Sequence, residues 1–338
     1  MKTELAAWGR SLDEFVRVSR HAERAGFTRV WSSELHRSPF VPLAAVAAAT
    51  TDIGIGTGIA LAFVRSPLAT AIAALDLDEM SGGRLTLGLG SGVRGLVERH
   101  HDASFEHPVE RMRDTIDIVR DVVARSHTGE SVTHVGSERS VDLVGFERPY
   151  APERGRIPLH LAAVGPRMTE LAGETADGWI GHELMSPEYL NDVVLPSLEA
   201  GLARSGRTRD DIEIVVSANC SVDPDASVSF ARSAASVAFY ASVKTYRSFF
   251  AFHGFGDEAD IIRRRFREGD VAGMVDAVPR EMVDAVAICG TVDEAAQKIA
   301  RYEGVADAIK LGPPTYFQDH DAVHQSVKAI VHDLAPSM

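Results

Sequence analysis

Strand-like and helix-like segments alternate eight times along this chain. Strand-like runs fall at residues 3–8, 29–33, 53–60, 84–90, 157–163, 178–181, 212–218 and 307–311. Between them lie segments with helical spacing of apolar residues, at 11–26, 39–50, 108–125, 166–175, 187–205 and 292–302, with another opening at Ser66 and Pro67. No pair of strands is joined by a short hairpin turn, so the sheet should be parallel. Eight β/α units favour closure into a (β/α)8 TIM barrel over an open doubly wound sheet, which is the alternative.

Local punctuation supports these boundaries. Ser66 followed by Pro67 is an N-cap with proline at the first helical position. Ser11 with Glu14, and Thr291 with Glu294, have the spacing of a capping box, and Gly26 suits a helix stop. Three stretches exceed the simple repeat, at about 91–107, 127–150 and 226–284. Barrel insertions usually decorate the catalytic face, at the C-terminal ends of the strands. The 127–150 stretch has a short strand-like run at 140–146. The 226–284 stretch reads as mostly helical and carries Phe239, Tyr240, Tyr246, Phe249, Phe250, Phe252 and Phe255. These aromatics suit a substrate pocket, a dimer interface or the insertion's own core.

Composition narrows the partners. The chain has 338 residues, enough for one barrel with insertions, and a net charge of −13. An acidic surface repels phosphate backbones, so nucleic acid is not an expected partner. The apolar run around Phe40 is too short to span a bilayer, and the first ten residues lack a signal-peptide core. A cytoplasmic protein with no membrane partner is expected. The two cysteines, Cys220 and Cys289, have no CxxC or framework spacing and suit reduced thiols. No HExxH, Walker loop or Cys/His metal spacing occurs, so no metal is expected.

In such a barrel, polar residues just past a strand end face the active-site mouth. After the second strand come Glu34 and His36, either suited to acid–base work or simply to a solvated loop. After the third come Gly58 and Ile59, where glycine marks a bulge or a close backbone approach. The fourth ends in Gly90, Ser91 and Gly92, which suit barrel packing or half of a dinucleotide fingerprint. After the fifth, Val164, Gly165, Pro166 and Arg167 form a glycine turn into a proline-started helix. Free N–H groups and the helix dipole there would suit an anion, or the turn is an ordinary connection. At 175–179, Asp177 and Gly178 read as a structural helix-to-strand turn.

Taken in order, several segments resemble the luciferase-like flavin/deazaflavin oxidoreductase superfamily. They are Ala25-Gly26-Phe27 leading to Val30-Trp31-Ser32-Ser33-Glu34, then Ile55-Gly56-Thr57-Gly58-Ile59, Arg65-Ser66-Pro67 and Ser81-Gly82-Gly83-Arg84. Leu87-Gly88-Leu89-Gly90, Ala162-Ala163-Val164-Gly165-Pro166 and Ala176-Asp177-Gly178-Trp179 follow. The chain looks most like the branch that uses coenzyme F420, an 8-hydroxy-5-deazaflavin. That resemblance implies hydride transfer to or from a small organic substrate, most simply reduction of an activated C=C, C=N or C=O bond. It implies a cis peptide at Gly58–Ile59 against the deazaflavin, a cofactor loop at Gly90, Ser91 and Gly92, and a phosphate turn at Val164, Gly165, Pro166 and Arg167. It places Glu34 near the ring and implies a homodimer. Two departures stand out. Relatives of this type carry an acid followed directly by histidine after strand two, whereas Leu35 separates Glu34 from His36. They carry a glutamate after the strand-four glycine loop, where this chain has Val93 and Arg94. An FMN-dependent monooxygenase and a non-catalytic, flavin-free relative are the alternatives.

Overall fold

The computed structural model describes residues 1–336. Its strands in chain order are β1 (Lys2–Ala6), β2 (Arg29–Ser32), β3 (Gly54–Thr57), β4 (Ala60–Leu61), β5 (Leu85–Gly90), β6 (Val132–Val135), β7 (Ser140–Leu143), β8 (Leu159–Ala162), β9 (Gly178–Ile180), β10 (Glu213–Val222), β11 (Ile288–Gly290) and β12 (Ala308–Gly312). The architecture is a parallel (β/α)8 barrel, as the alternation predicts. Only β6 and β7 stand apart, as an antiparallel hairpin. Among the described residues no helix is long and apolar enough to cross a membrane.

The chain divides into two compact units. One comprises Thr28–Gly181 and Val194–Ile214. In it β2 pairs with β3, β3 with β5, β5 with β8 and β8 with β9, all parallel. Glycine is required at Gly88, where a Cβ would lie 1.9 Å from the Thr57 carbonyl oxygen. The Thr57 hydroxyl locks this approach by donating to the Gly88 carbonyl (2.7 Å) and accepting from the Gly88 N–H (2.8 Å). Arg84 explains the Ser-Gly-Gly-Arg segment. Its guanidinium donates to the carbonyls of Ala47, Thr50, Ile53 and Ser81, tying together chain ends that would otherwise lack partners. Asp177 is structural, as expected. Its carboxylate accepts from the Leu159 N–H (2.9 Å), from Arg120 (3.2 Å) and from Arg156.

The other unit comprises Met1–Phe27, His182–Val193 and Val215–Met338, described to residue 336. Here β1 pairs with β12, β12 with β10 and β10 with β11, again parallel. The 226–284 insertion is mostly helical, beginning with Ala226–Ser242. Its aromatics divide. Phe249 and Phe250 are buried, Phe249 against Tyr189 outside the insertion, whereas Tyr240 and Tyr246 pack on His182. Cys220 and Cys289 are free and buried.

Several expectations need correction. The third strand is not continuous over 53–60 but breaks at Gly58 and Ile59, between β3 and β4. The helix expected over 187–205 contains a π-helical turn at Leu190–Val194. Pro196 has no N–H to donate to the preceding turn, so α spacing cannot continue through it. Ser11 does accept from the Glu14 N–H (3.1 Å), but the Glu14 carboxylate accepts from the Arg10 N–H (2.9 Å) instead of closing the box. Thr291 and Glu294 make both arms of theirs. The short strand β11, the Arg94–His100 helix and the His320–Asp333 helix are additional elements.

Candidate active site

The predicted residues all lie in the Thr28–Gly181 segment, and the ends of β2, β3 and β5 bring Glu34, Gly58, Ile59, Gly90 and Gly92 together. The Gly58–Ile59 peptide is cis, as the resemblance implies. The Gly58 N–H donates to the Ser32 carbonyl (2.8 Å), and the Glu34 N–H donates to the Ile59 carbonyl (3.1 Å). The ends of β2 and β3 therefore stay joined through the break. Ile59 lies across Gly90: a Cβ on Gly90 would sit 2.2 Å from Ile59 Cδ1. Beyond it the Ser91 hydroxyl donates to the Gly92 carbonyl (3.0 Å). Gly92 has φ +66°, and a Cβ there would meet Leu61 at 2.8 Å.

Glu34 is anchored on several sides. One oxygen accepts from the Leu61 N–H (2.7 Å) and from Arg65 (2.9 Å), and its other oxygen is bonded by Arg65 as well. Arg65 also donates to the Leu61 carbonyl (3.0 Å). The pair is thus bidentate, with both carboxylate oxygens engaged. Arg139, from the turn between β6 and β7, donates to the carbonyls of Ala62 (3.1 Å) and Arg65 (3.0 Å), so the hairpin braces the same loop. Burial and the nearby Arg111 charge lower the Arg139 pKa to about 10. His36 is exposed on the loop and does not join the bonds of Glu34.

Val164, Gly165, Pro166 and Arg167 form the turn after β8. Gly165 caps the Pro166–Thr175 helix, and its carbonyl accepts from the N–H and the hydroxyl of Thr169 (both 3.0 Å). A Cβ on Gly165 would meet nothing within 4 Å, so this helix N-terminus is open. The Trp179 indole N–H donates to the Ala163 carbonyl (3.1 Å) and fixes the start of the turn. The Arg167 side chain points to solvent and pairs with Glu110 (2.9 Å). Val93 is exposed, and Arg94 pairs with Glu98 (2.6 Å) and Glu106 (3.1 Å).

A second polar group, which sequence reasoning missed, lies in the other unit. Glu4 on β1, Lys310 on β12 and Ser217 on β10 stand abreast in register, and all are buried. The Tyr240 hydroxyl donates to Glu183 Oε2 (3.1 Å). Burial raises the Glu183 pKa against the pull of Lys310 and Tyr240, and burial lowers that of Lys310. His182 packs on Tyr246 (4.4 Å between centroids) and Tyr240 (4.7 Å). Desolvation and the Lys310 charge push its pKa down to about 3, so the ring is neutral at physiological pH. A signal existed: Glu4 and Lys310 are charged residues inside otherwise apolar barrel strands, and such charges need partners.

Known proteins share this arrangement of segments. A family model described as luciferase-like monooxygenase matches residues 2–307. A Mycobacterium tuberculosis protein bearing the name of a coenzyme F420-dependent oxidoreductase is 32% identical over 300 residues, spanning 83% of this chain and 85% of that one. The 5,10-methylenetetrahydromethanopterin reductase of Archaeoglobus fulgidus is 30% identical over 286 residues, 82% of each chain. In fold, the coenzyme F420-dependent tetrahydromethanopterin reductase of Methanopyrus kandleri matches with a TM-score of 0.84 at 21% identity, over 98% of this chain and 97% of that one. The chain belongs to the luciferase-like monooxygenase family.

Proposed function

We propose that this chain is an F420-dependent oxidoreductase that reduces an activated C=C, C=N or C=O bond of a small organic substrate. The reading is carried by the 32% identity, over 83% of the chain, to a relative named for F420 chemistry. The residues present fit such a group. Ile59 laid across Gly90 offers a narrow apolar bed for one face of a planar ring. The open N-terminus of the Pro166–Thr175 helix, with Val164 and Gly165 at its entry, suits a phosphate. Arg167 contributes through its place in this turn, while its guanidinium pairs with Glu110 (2.9 Å).

When bound, the deazaflavin supplies the hydride, and the protein supplies binding and orientation. Glu34, paired with Arg65, holds the loop that carries Ile59 through its main-chain bond. Gly90, Ser91 and Gly92 close the bed from the side of β5. His36 remains the candidate proton donor on this loop.

The test is a parallel fluorescence titration of the purified protein with F420 and with FMN. Tight binding of F420 alone is expected. Binding of FMN alone would move the function to oxygen-dependent monooxygenation. Binding of neither would favour a non-catalytic member of the family.

A further inference from the structure

The face of β1, β10 and β12 that holds Glu4, Lys310 and Ser217 continues one step toward the strand ends to Asn219, in register with Gly312. Asn219 is 1% exposed, and neither Oδ1 nor Nδ2 makes a hydrogen bond with protein. The Ser217 hydroxyl on the same face is likewise buried and unbonded. The main-chain N–H of Asn219 donates to the Glu183 carbonyl (3.0 Å), so its carboxamide stands beside the segment that carries the Glu183–Tyr240 pair. Its register neighbour Gly312 has no side chain, and a Cβ there would meet Ala6 at 3.2 Å and the Ala218 carbonyl oxygen at 3.9 Å. On this side the carboxamide therefore has a residue without a side chain as its register neighbour.

A buried carboxamide with its bonds unmade is destabilising, and a position needed only for packing would be better served by leucine. Its chemistry also restricts the ligand. Oδ1 accepts and Nδ2 donates in one plane, so a single partner satisfies both only if it offers an acceptor beside a donor. The Lys310 charge is flanked by Glu4 and Glu183, which leaves little attraction for an anionic ligand.

We propose that Asn219 heads a substrate subsite for the amide-type edge of a neutral organic ligand, a C=O next to an N–H. Nδ2 donates to the ligand carbonyl and Oδ1 accepts from the ligand N–H. The Tyr240–Glu183 pair lies alongside, and Ser217 and Lys310 lie below. This deepens the functional reading and rests on it, since it assigns part of the substrate's chemistry.

The experiment compares three five-membered rings by ligand-observed NMR titration of the cofactor-free protein. 2-Pyrrolidinone presents C=O beside N–H, whereas N-methyl-2-pyrrolidinone and cyclopentanone present the acceptor only. The native protein is expected to bind 2-pyrrolidinone about tenfold more tightly than either, the effect of one further buried hydrogen bond. In Asn219→Leu the preference should fall to within about twofold, with a melting temperature raised by a few degrees as the unsatisfied group is removed. Asn219→Ala should lose the same preference and serves if leucine does not pack. Equal binding of the three rings, no binding of any, or a preference that survives both substitutions overturns the proposal. Because no cofactor is present, this outcome is independent of the F420 titration. A failed lactam comparison leaves the cofactor reading intact, and failed F420 binding leaves the comparison readable.

Discussion

Gly90→Ala separates a cofactor bed from a packing contact. The new Cβ would lie 2.2 Å from Ile59 Cδ1. Carbon atoms pack at about 3.5–4.0 Å, so Cδ1 must retreat by roughly 1.3–1.8 Å. It is the far end of a flexible, half-buried side chain, and turning it off its rotamer costs about 0.5–1.5 kcal/mol. Gly88→Ala, two residues earlier, is the contrast. Its Cβ would lie 1.9 Å from a main-chain oxygen of β3, and no rotamer change relieves that. The strands would have to part at the Thr57 lock, at a cost of about 3 kcal/mol or more. Denaturant unfolding and F420 titration would be run on both variants. Gly90→Ala should fold within about 1.5 kcal/mol of the native protein yet lose about tenfold in F420 affinity, as the displaced Ile59 intrudes on the ring's bed. Gly88→Ala should fold poorly or not at all. An unchanged F420 affinity in Gly90→Ala would refute the assignment of this surface to the ring, and equal destabilisation of the two variants would make Ile59 over Gly90 a structural contact.

Arg65→Met strips the half-buried Glu34 of its partner and should cost about 1–3 kcal/mol, less than a fully buried pair because water reaches both groups. Glu34→Gln added to it should recover part of the loss in a double-mutant cycle followed by urea unfolding. Burial opposes ionisation of Asp177, but Arg156, the Leu159 N–H and Arg120 outweigh it and hold its pKa below the usual value. A depressed carboxylate stabilises the fold above its unfolded pKa of about 3.9, and that contribution disappears as pH falls through the folded value. Asp177→Asn should therefore flatten the acid limb of the stability curve below about pH 4, and an unchanged limb would contradict the pairing. His182 has the opposite charge logic. Its folded pKa of about 3 keeps it neutral while the unfolded chain takes up a proton below about pH 6.5, so folding weakens as pH falls between those values. His182→Phe should remove that dependence, measured as the stability difference from the native protein at pH 4 and pH 7.

The parts of the fold that sequence predicts to the residue are those set by local chemistry. The helices Pro108–Arg125 and Pro166–Thr175 start where proline fixes φ and needs no N–H partner. Thr291 and Glu294 satisfy each other's main-chain groups within a few residues of chain. Where the deciding contact is distant, the local pattern misleads. Glu14 has capping-box spacing from Ser11, yet its carboxylate also pairs with His324, more than three hundred residues away. The three-residue β11 exists through its pairing with β10, a contact that no periodicity over three positions reveals.

The candidate site divides in the same way. Gly58, Ile59, Gly90, Ser91 and Gly92 were legible because glycine at a strand end carries its meaning locally, as a close backbone approach. Glu34 was legible as a position but not as a chemistry. A loop carboxylate in isolation suits acid–base work, but Arg65, thirty-one residues on, engages both of its oxygens. Of the polar group of Glu4, Lys310, Asn219, Glu183 and Tyr240, only Tyr240 stood out in the sequence, as one of the insertion's aromatics, and the grouping itself escaped. Its members come from both ends of the chain, the turn after β9, the middle of β10 and the first insertion helix, and no two meet within a window that motif reading scans. What exposes them is the cost of burying a charge or an unpaired amide in a barrel strand, a cost that packing alone does not repay. Charged or amide side chains at alternate positions of an apolar strand are thus a physical pointer to a ligand face, and in this chain Lys310 and Asn219 meet that condition on neighbouring strands.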